Sequence, residues 1–159
     1  MPATLDERDA VRALLGREPT AEFDVVVRRT DGTPVVIRNA PFTVDGTPMP
    51  TRYWLVDPAW NRAVSRLESD GGVRAVEAAV DPNAVVAAHA AYAADRDAAV
   101  PAGHTGPRPS AGVGGTRTGV KCLHAHAAWW LVSGADPVGE WIVARLEPDL
   151  LADLDRVVP

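Results

Sequence analysis

Residues 23–39 read FDVVVRRTDGTPVVIRN. Two β-branched runs flank Asp31-Gly32, a dipeptide that supplies the positive φ of a tight hairpin turn. The stretch therefore reads as an antiparallel hairpin with strands at 23–29 and 34–39. Downstream, NAPFTVDGTPMP carries another Asp-Gly turn among prolines and reads as a connection. RYWLVD at 52–57 is a third expected strand, and Pro58 fits the first turn of a helix capped by Asp57. Ahead of the hairpin, DERDAVRALLG at 6–16 is a short amphipathic helix, with Val11, Leu14 and Leu15 on one face and Gly16 at its stop.

Beyond residue 58 the periodicity turns helical. Trp60, Val64 and Leu67 define a helix over 58–69, and a shorter one follows Gly71-Gly72. Asp81-Pro82 opens a longer helix to about residue 99. A further helix is expected over about 119–133, ending before Gly134, and Asp136-Pro137 starts another. DLLADLDRVV is a terminal amphipathic stretch. Strands first and helices after predict an α+β fold, a small antiparallel sheet of about three strands covered by several helices. The 159 residues suit one domain, 1–159, with a Gly/Pro-rich loop at 101–118.

Composition narrows the function classes. Hydrophobic residues at 47% and charged residues at 23% give a globular balance. A net charge of −5 argues against a nucleic-acid partner. The single cysteine excludes an internal disulfide framework. The charged N-terminus is unlike a signal peptide, and no apolar run is long enough to cross a bilayer. The expectation is a cytoplasmic protein with no membrane partner.

The segment PSAGVGGTRTGVKCLHAHAAWWLVSG, 109–134, concentrates chemistry. Glycines such as Gly114 and Gly115 allow close backbone approach, and a helix start presents unpaired amides. Arg117 and Lys121, the only lysine, add positive charge there, with Ser110 earlier in the loop. Together they describe a site for a small anionic ligand, phosphate or carboxylate. Neither a Walker A loop nor G-x-G-x-x-G can be read, so no nucleotide is specified. On a helix from 119, Val120, Leu123, Ala127, Trp130 and Leu131 form the core stripe. Lys121 and His124 then share one flank, while Cys122 and His126 share the other. On that geometry Cys122 and His124 point apart and cannot bind one metal. Two ligands, Cys122 and His126, do not make a zinc site unless His89 or His104 completes it. No metal and no cofactor are therefore expected. Cys122 reads either as a structural thiol or, at a helix start, as a nucleophile.

A second face lies on the helix after Pro82, where His89, Tyr92 and Arg96 are spaced i, i+3, i+7. It reads either as a solvated face or as one wall of a cleft opposite Lys121 and His124. Arg38, Arg52 and Glu68 are candidates to join from the sheet side.

With these residues in view, the chain resembles the bacterial family known as domain of unknown function 501, from roughly residue 10 to 145. The resemblance rests on Leu15-Gly16-Arg17, Ala40-Pro41, Asp45-Gly46-Thr47-Pro48 with Pro50-Thr51, and Ser65-Arg66-Leu67-Glu68. It continues through His89, Tyr92 and Arg96, the most specific match Lys121-Cys122-Leu123-His124, and Asp136-Pro137-Val138-Gly139. Many members carry an Arg-Cys-Pro-x-Gly hairpin, where this chain has Arg28-Arg29-Thr30-Asp31-Gly32. The resemblance implies a polar cleft rather than a metal centre, and supplies no activity. It also implies neighbours in cell division and phosphate metabolism.

Two functional expectations follow. In one, Arg96, Arg117 and Lys121 hold an anion beside Tyr92, and His124 or His89 serves as acid or base, oriented by Glu68. Whether the protein is an enzyme is left open. In the other, it is an adaptor for a protein partner linked to cell division or phosphate metabolism, with Trp54, Trp60 or Trp141 as exposed anchors.

Overall fold

The computed structural model describes residues 1–156. Helix α1 (Leu5–Leu15) opens with a reciprocal capping box between Thr4 and Glu7 and stops at Gly16 in the left-handed region. Strands β1 (Ala21–Arg29) and β2 (Pro34–Thr43) form the expected hairpin, and β3 (Tyr53–Leu55) pairs with β2. Then come α2 (Pro58–Ser69), α3 (Gly72–Ala79), α4 (Pro82–Ala98), α5 (Leu123–Ser133), α6 (Pro137–Val143) and α7 (Pro148–Ala152). Asp57, Asp81 and Asp136 cap α2, α4 and α6, each followed by proline at the first helical position.

The fold is α+β, as expected, but the sheet gains a fourth strand, β4 (Leu154–Arg156), in the order β3-β2-β1-β4 with every pairing antiparallel. The terminal amphipathic stretch thus divides into α7 and β4, while Val157 and Val158 lie outside the described residues. Arg29 joins both ends of the chain's sheet. It forms a bidentate ion pair with buried Asp57 at 2.8 and 2.9 Å and reaches Asp153 at 3.0 Å. The guanidinium therefore stands at the hairpin position where the family resemblance expects a cysteine.

Two hydrophobic clusters form. The smaller holds Val11 of α1 with Phe23, Val25, Ile37 and Val56. The larger gathers Val27, Val36, Leu55, Trp60, Val64, Val113, Leu123, Leu131, Val138 and Ile142, among others. A register shift between Val25 and Val27 accompanies their division between the two clusters, because an extra strand residue re-aims the side chains that follow.

Helix α5 departs from its expected form in two ways. It begins at Leu123, not 119, with Cys122 as an extended N-cap residue at φ −145°. It is also buried on nearly all sides, with Ala125, His126, Ala128, Trp129 and Val132 buried besides Leu123, Ala127 and Leu131. A helix that is apolar all round is a central helix, and here α2, α6 and β3 surround it. Full burial of Leu131 alone contributes roughly 2 kcal/mol.

Candidate functional site

The long loop between α4 and α5 has a defined path, set by side chains that tie its backbone to the helices. Arg96, 3% exposed, donates to the carbonyls of Ser110 and Ala111. Val113 N–H donates to His89 Nδ1 at 3.0 Å, which leaves the proton on Nε2, 2.8 Å from the Gly119 carbonyl. Val120 N–H donates to Glu77 at 2.8 Å. Gly112 is required by proximity, since a Cβ there would lie 2.6 Å from His89 Cβ and Nδ1. The loop closes with a 3₁₀ turn, Val113–Gly115, in which Gly114 and Gly115 take φ of 68° and 86°.

Consequently His89, Tyr92 and Arg96 are neither a solvated face nor a wall opposite Lys121. All three are buried. Tyr92 Oη accepts from Arg52 N–H at 2.8 Å, and burial pushes its phenol up. Burial pushes the His89 imidazole down, against the opposing pull of the Gly119 carbonyl. A cavity of about 420 Å³ does lie between α4 and the loop, bordered by His89, Arg96, Ser110 and Arg117. Its polar side chains His89 and Arg96 are already spent on internal bonds.

A different group of residues meets on the other side of the turn. Because Cys122 is extended rather than helical, its side chain falls beside His124, and Sγ lies 4.0 Å from His124 Nδ1. The expectation that these two diverge is overturned by that start point. Glu68, from the last turns of α2, accepts from His124 Nδ1 at 3.0 Å and from Leu123 N–H at 2.9 Å. Ser65, one turn earlier, places Oγ 3.0 Å from His124 Nε2. One donor atom from each of Glu68, Cys122 and His124 lies within 4.8 Å of the others. All three side chains are half-buried.

The electrostatics follow from these contacts. The Cys122 contact raises the His124 imidazole most and Glu68 adds to it, outweighing burial, so its pKa stands at about 9. Burial alone would push the Cys122 thiol up, but His124 and the Ala125 amide outweigh it and the net shift is downward. Glu68 has taken the first amide of α5, so the helix start already holds a carboxylate from within the chain.

Cys122 and His124 form part of the wall of a second cleft, about 380 Å³, with Arg17, Trp54, Asn61 and Gly114. Arg17 stacks over Trp54 at 5.0 Å. Lys121 is exposed and lies before the helix, with Nζ 3.8 Å from where a Gly115 Cβ would be. The anion-site candidates therefore divide. Gly114, Cys122 and His124 line this cleft, with Lys121 beside Gly115 on the adjoining turn, whereas Ser110, Arg117, Arg96 and His89 border the other. Of the three sheet-side candidates only Glu68 joins. Arg38 pairs with Asp24, and Arg52 bonds the Asn39 carbonyl.

His126 cannot serve with Cys122. It is fully buried, with Nδ1 2.6 Å from Asp136, the cap of α6. The Asp-Pro cap signal marked Asp136 without revealing this partner. Arg17 was visible only as part of a family match, since nothing local links it to residues a hundred positions away. Trp60 is fully buried, and Trp54 and Trp141 are half-buried beneath Arg17 and Arg145. Among the described residues, no helix is long and apolar enough to cross a membrane.

A family model described as a protein of unknown function, DUF501, matches residues 25–144, and the chain belongs to that family. The match includes Glu68, Cys122 and His124, while Arg17 precedes it. No curated protein and no solved structure matches the chain.

Proposed function

We propose that this DUF501 family member binds a small anionic molecule, phosphate- or carboxylate-bearing, in the cleft walled by Cys122 and His124. One observation carries the reading. Cys122 and His124 of the Glu68–Cys122–His124 cluster line a cleft with Arg17, Lys121 adjoins Cys122 in the chain, and neither cation has a carboxylate partner among the described residues. A guanidinium without a carboxylate partner, held over the Trp54 ring, offers a forked donor surface, and an exposed ammonium adds a mobile point charge. Anion capture by the helix amides is not part of this reading, because Glu68 occupies the leading one. Of the two histidines expected to carry chemistry, His124 is 26% exposed and His89 only 3%. Both ring nitrogens of His89 are engaged by backbone.

Isothermal titration and thermal shift with phosphate, polyphosphate and nucleotides test the reading. A ligand at about one hundred times its dissociation constant stabilises the fold by roughly 2.7 kcal/mol. The expected result is a measurable shift at millimolar ligand that falls in Arg17→Ala and Lys121→Ala. No response at that concentration, or an unchanged response in both variants, would overturn it.

A further inference from the structure

We infer that Glu68, Cys122 and His124 form a binding site for one divalent zinc ion, with an open fourth position facing the cleft. Thiolate, imidazole and carboxylate together are a donor set suited to zinc, and three protein ligands with one open position is the arrangement of reactive zinc sites.

The geometry is close to what the ion needs. Tetrahedral bonds of about 2.3 Å to sulfur and about 2.0 Å to nitrogen and oxygen put the S···N edge near 3.5 Å and the N···O edge near 3.3 Å. Here Sγ–Nδ1 is 4.0 Å and Nδ1–Oε1 is 3.0 Å, each within about half an ångström of its ideal edge, and the third edge, from Sγ to the carboxylate, is no longer than 4.8 Å. The proton that Nδ1 now donates to Glu68 leaves when the metal takes its place, as does the thiol proton.

Supporting contacts are in position. Ser65 Oγ meets the far nitrogen of His124, which fixes the ring with Nδ1 toward the cluster. Leu123 N–H holds Glu68 Oε1 from the backbone. The three ligands come from two elements packed in the core, so the site is largely formed before the ion arrives. Cys122 and His124 line the cleft directly, which places the open coordination position where a small anion would enter. In that last respect the inference rests on the anion-cleft reading.

The test uses the full chain stripped of metal with a chelator. Zinc is titrated against a chromophoric competitor, and cobalt(II) is added separately to watch for a thiolate charge-transfer band. The expected result is one zinc per chain, a cobalt band absent in Cys122→Ser, and affinity at least about tenfold weaker in Cys122→Ser, His124→Gln and Glu68→Gln. Bound zinc should also protect Cys122 from iodoacetamide. No uptake, uptake equal in all three variants, or cobalt binding without the band would overturn the zinc site. Should a variant fail to fold, the alkylation and cobalt readouts on the unaltered chain decide the matter. Phosphate titrated into the metal-free chain separates the two readings. Phosphate binding without zinc uptake sinks the metal and keeps the cleft. Zinc uptake without any phosphate response, metal-free or loaded, keeps the metal and sinks the anion.

Discussion

His89 and His124 lie on opposite sides of one glycine turn, and the turn uses them differently. His89 is 3% exposed, accepts from one loop amide and donates to one loop carbonyl. Its neighbours are other buried groups, including the His126 ring 5.6 Å away. His124 is 26% exposed, and its partners are a thiol, a carboxylate and a hydroxyl at the edge of an open cleft. Burial pushes the first imidazole down, and contact with Cys122 lifts the second to about 9. The same side chain thus closes the loop on one side and remains available to a guest on the other. A polar residue with all its bonds made by backbone holds structure. One whose partners are reactive side chains at a surface is a candidate for function.

Substitutions on the two sides should separate accordingly. The largest effect is expected for Arg96→Ala, which strands the Ser110 and Ala111 carbonyls and should cost about 3 kcal/mol in urea unfolding. A cost under about 1 kcal/mol would show that the loop holds its path without α4. Gly112→Ala comes next. Its Cβ would enter the His89 side chain at 2.6 Å, for about 2 kcal/mol read from the same experiment.

His89→Gln should cost about 1 kcal/mol and change the pH profile. The folded imidazole holds its proton less readily than a free one, so the unfolded chain binds more protons as the medium acidifies. His89's contribution is therefore complete above about pH 6.5 and shrinks as pH falls below that value. Nearby, His126 reinforces the downward shift and Asp136 opposes it. Melting temperature measured from pH 7.5 to 5.5 should fall less steeply in the variant, and parallel slopes would remove the buried-neutral assignment. The smallest effect belongs to the open side. Ser65→Ala and His124→Gln should each stay within about 1 kcal/mol of the unaltered chain. A loss equal to that of Arg96→Ala would erase the distinction between the two sides.

Much of the frame was legible in sequence. Asp31-Gly32 announced the hairpin, and Asp57, Asp81 and Asp136 with their prolines marked three helix starts. Strand β4 was not, because Leu154–Arg156 is too short to show alternation and is defined by its pairing with β1. The site was half legible. Lys121, Cys122 and His124 stand out and Glu68 is a candidate, but periodicity sets the helix start four residues early. A helix from 119 would rotate Cys122 away from His124, whereas the extended cap residue brings them together. Helix starts carry weak local signals when the cap residue is not one of the usual Ser, Thr, Asp or Asn caps, as with Cys122. The burial of His89 and Arg96 was hidden for a different reason. In an alanine-rich helix their polar spacing matches a surface stripe, and only the loop folding over them reveals otherwise.

The pairing of β1 with β4 bears on how the chain comes off the ribosome. Arg29 and Asp153 are separated by 124 positions, so this part of the first hairpin's outer edge waits for its partner while the intervening chain is made. Until Leu154–Arg156 are synthesised, a bare row of amides and carbonyls is open to strands from neighbouring nascent chains. Truncation before residue 154 would make that exposure permanent, and precipitation on expression is the outcome to look for.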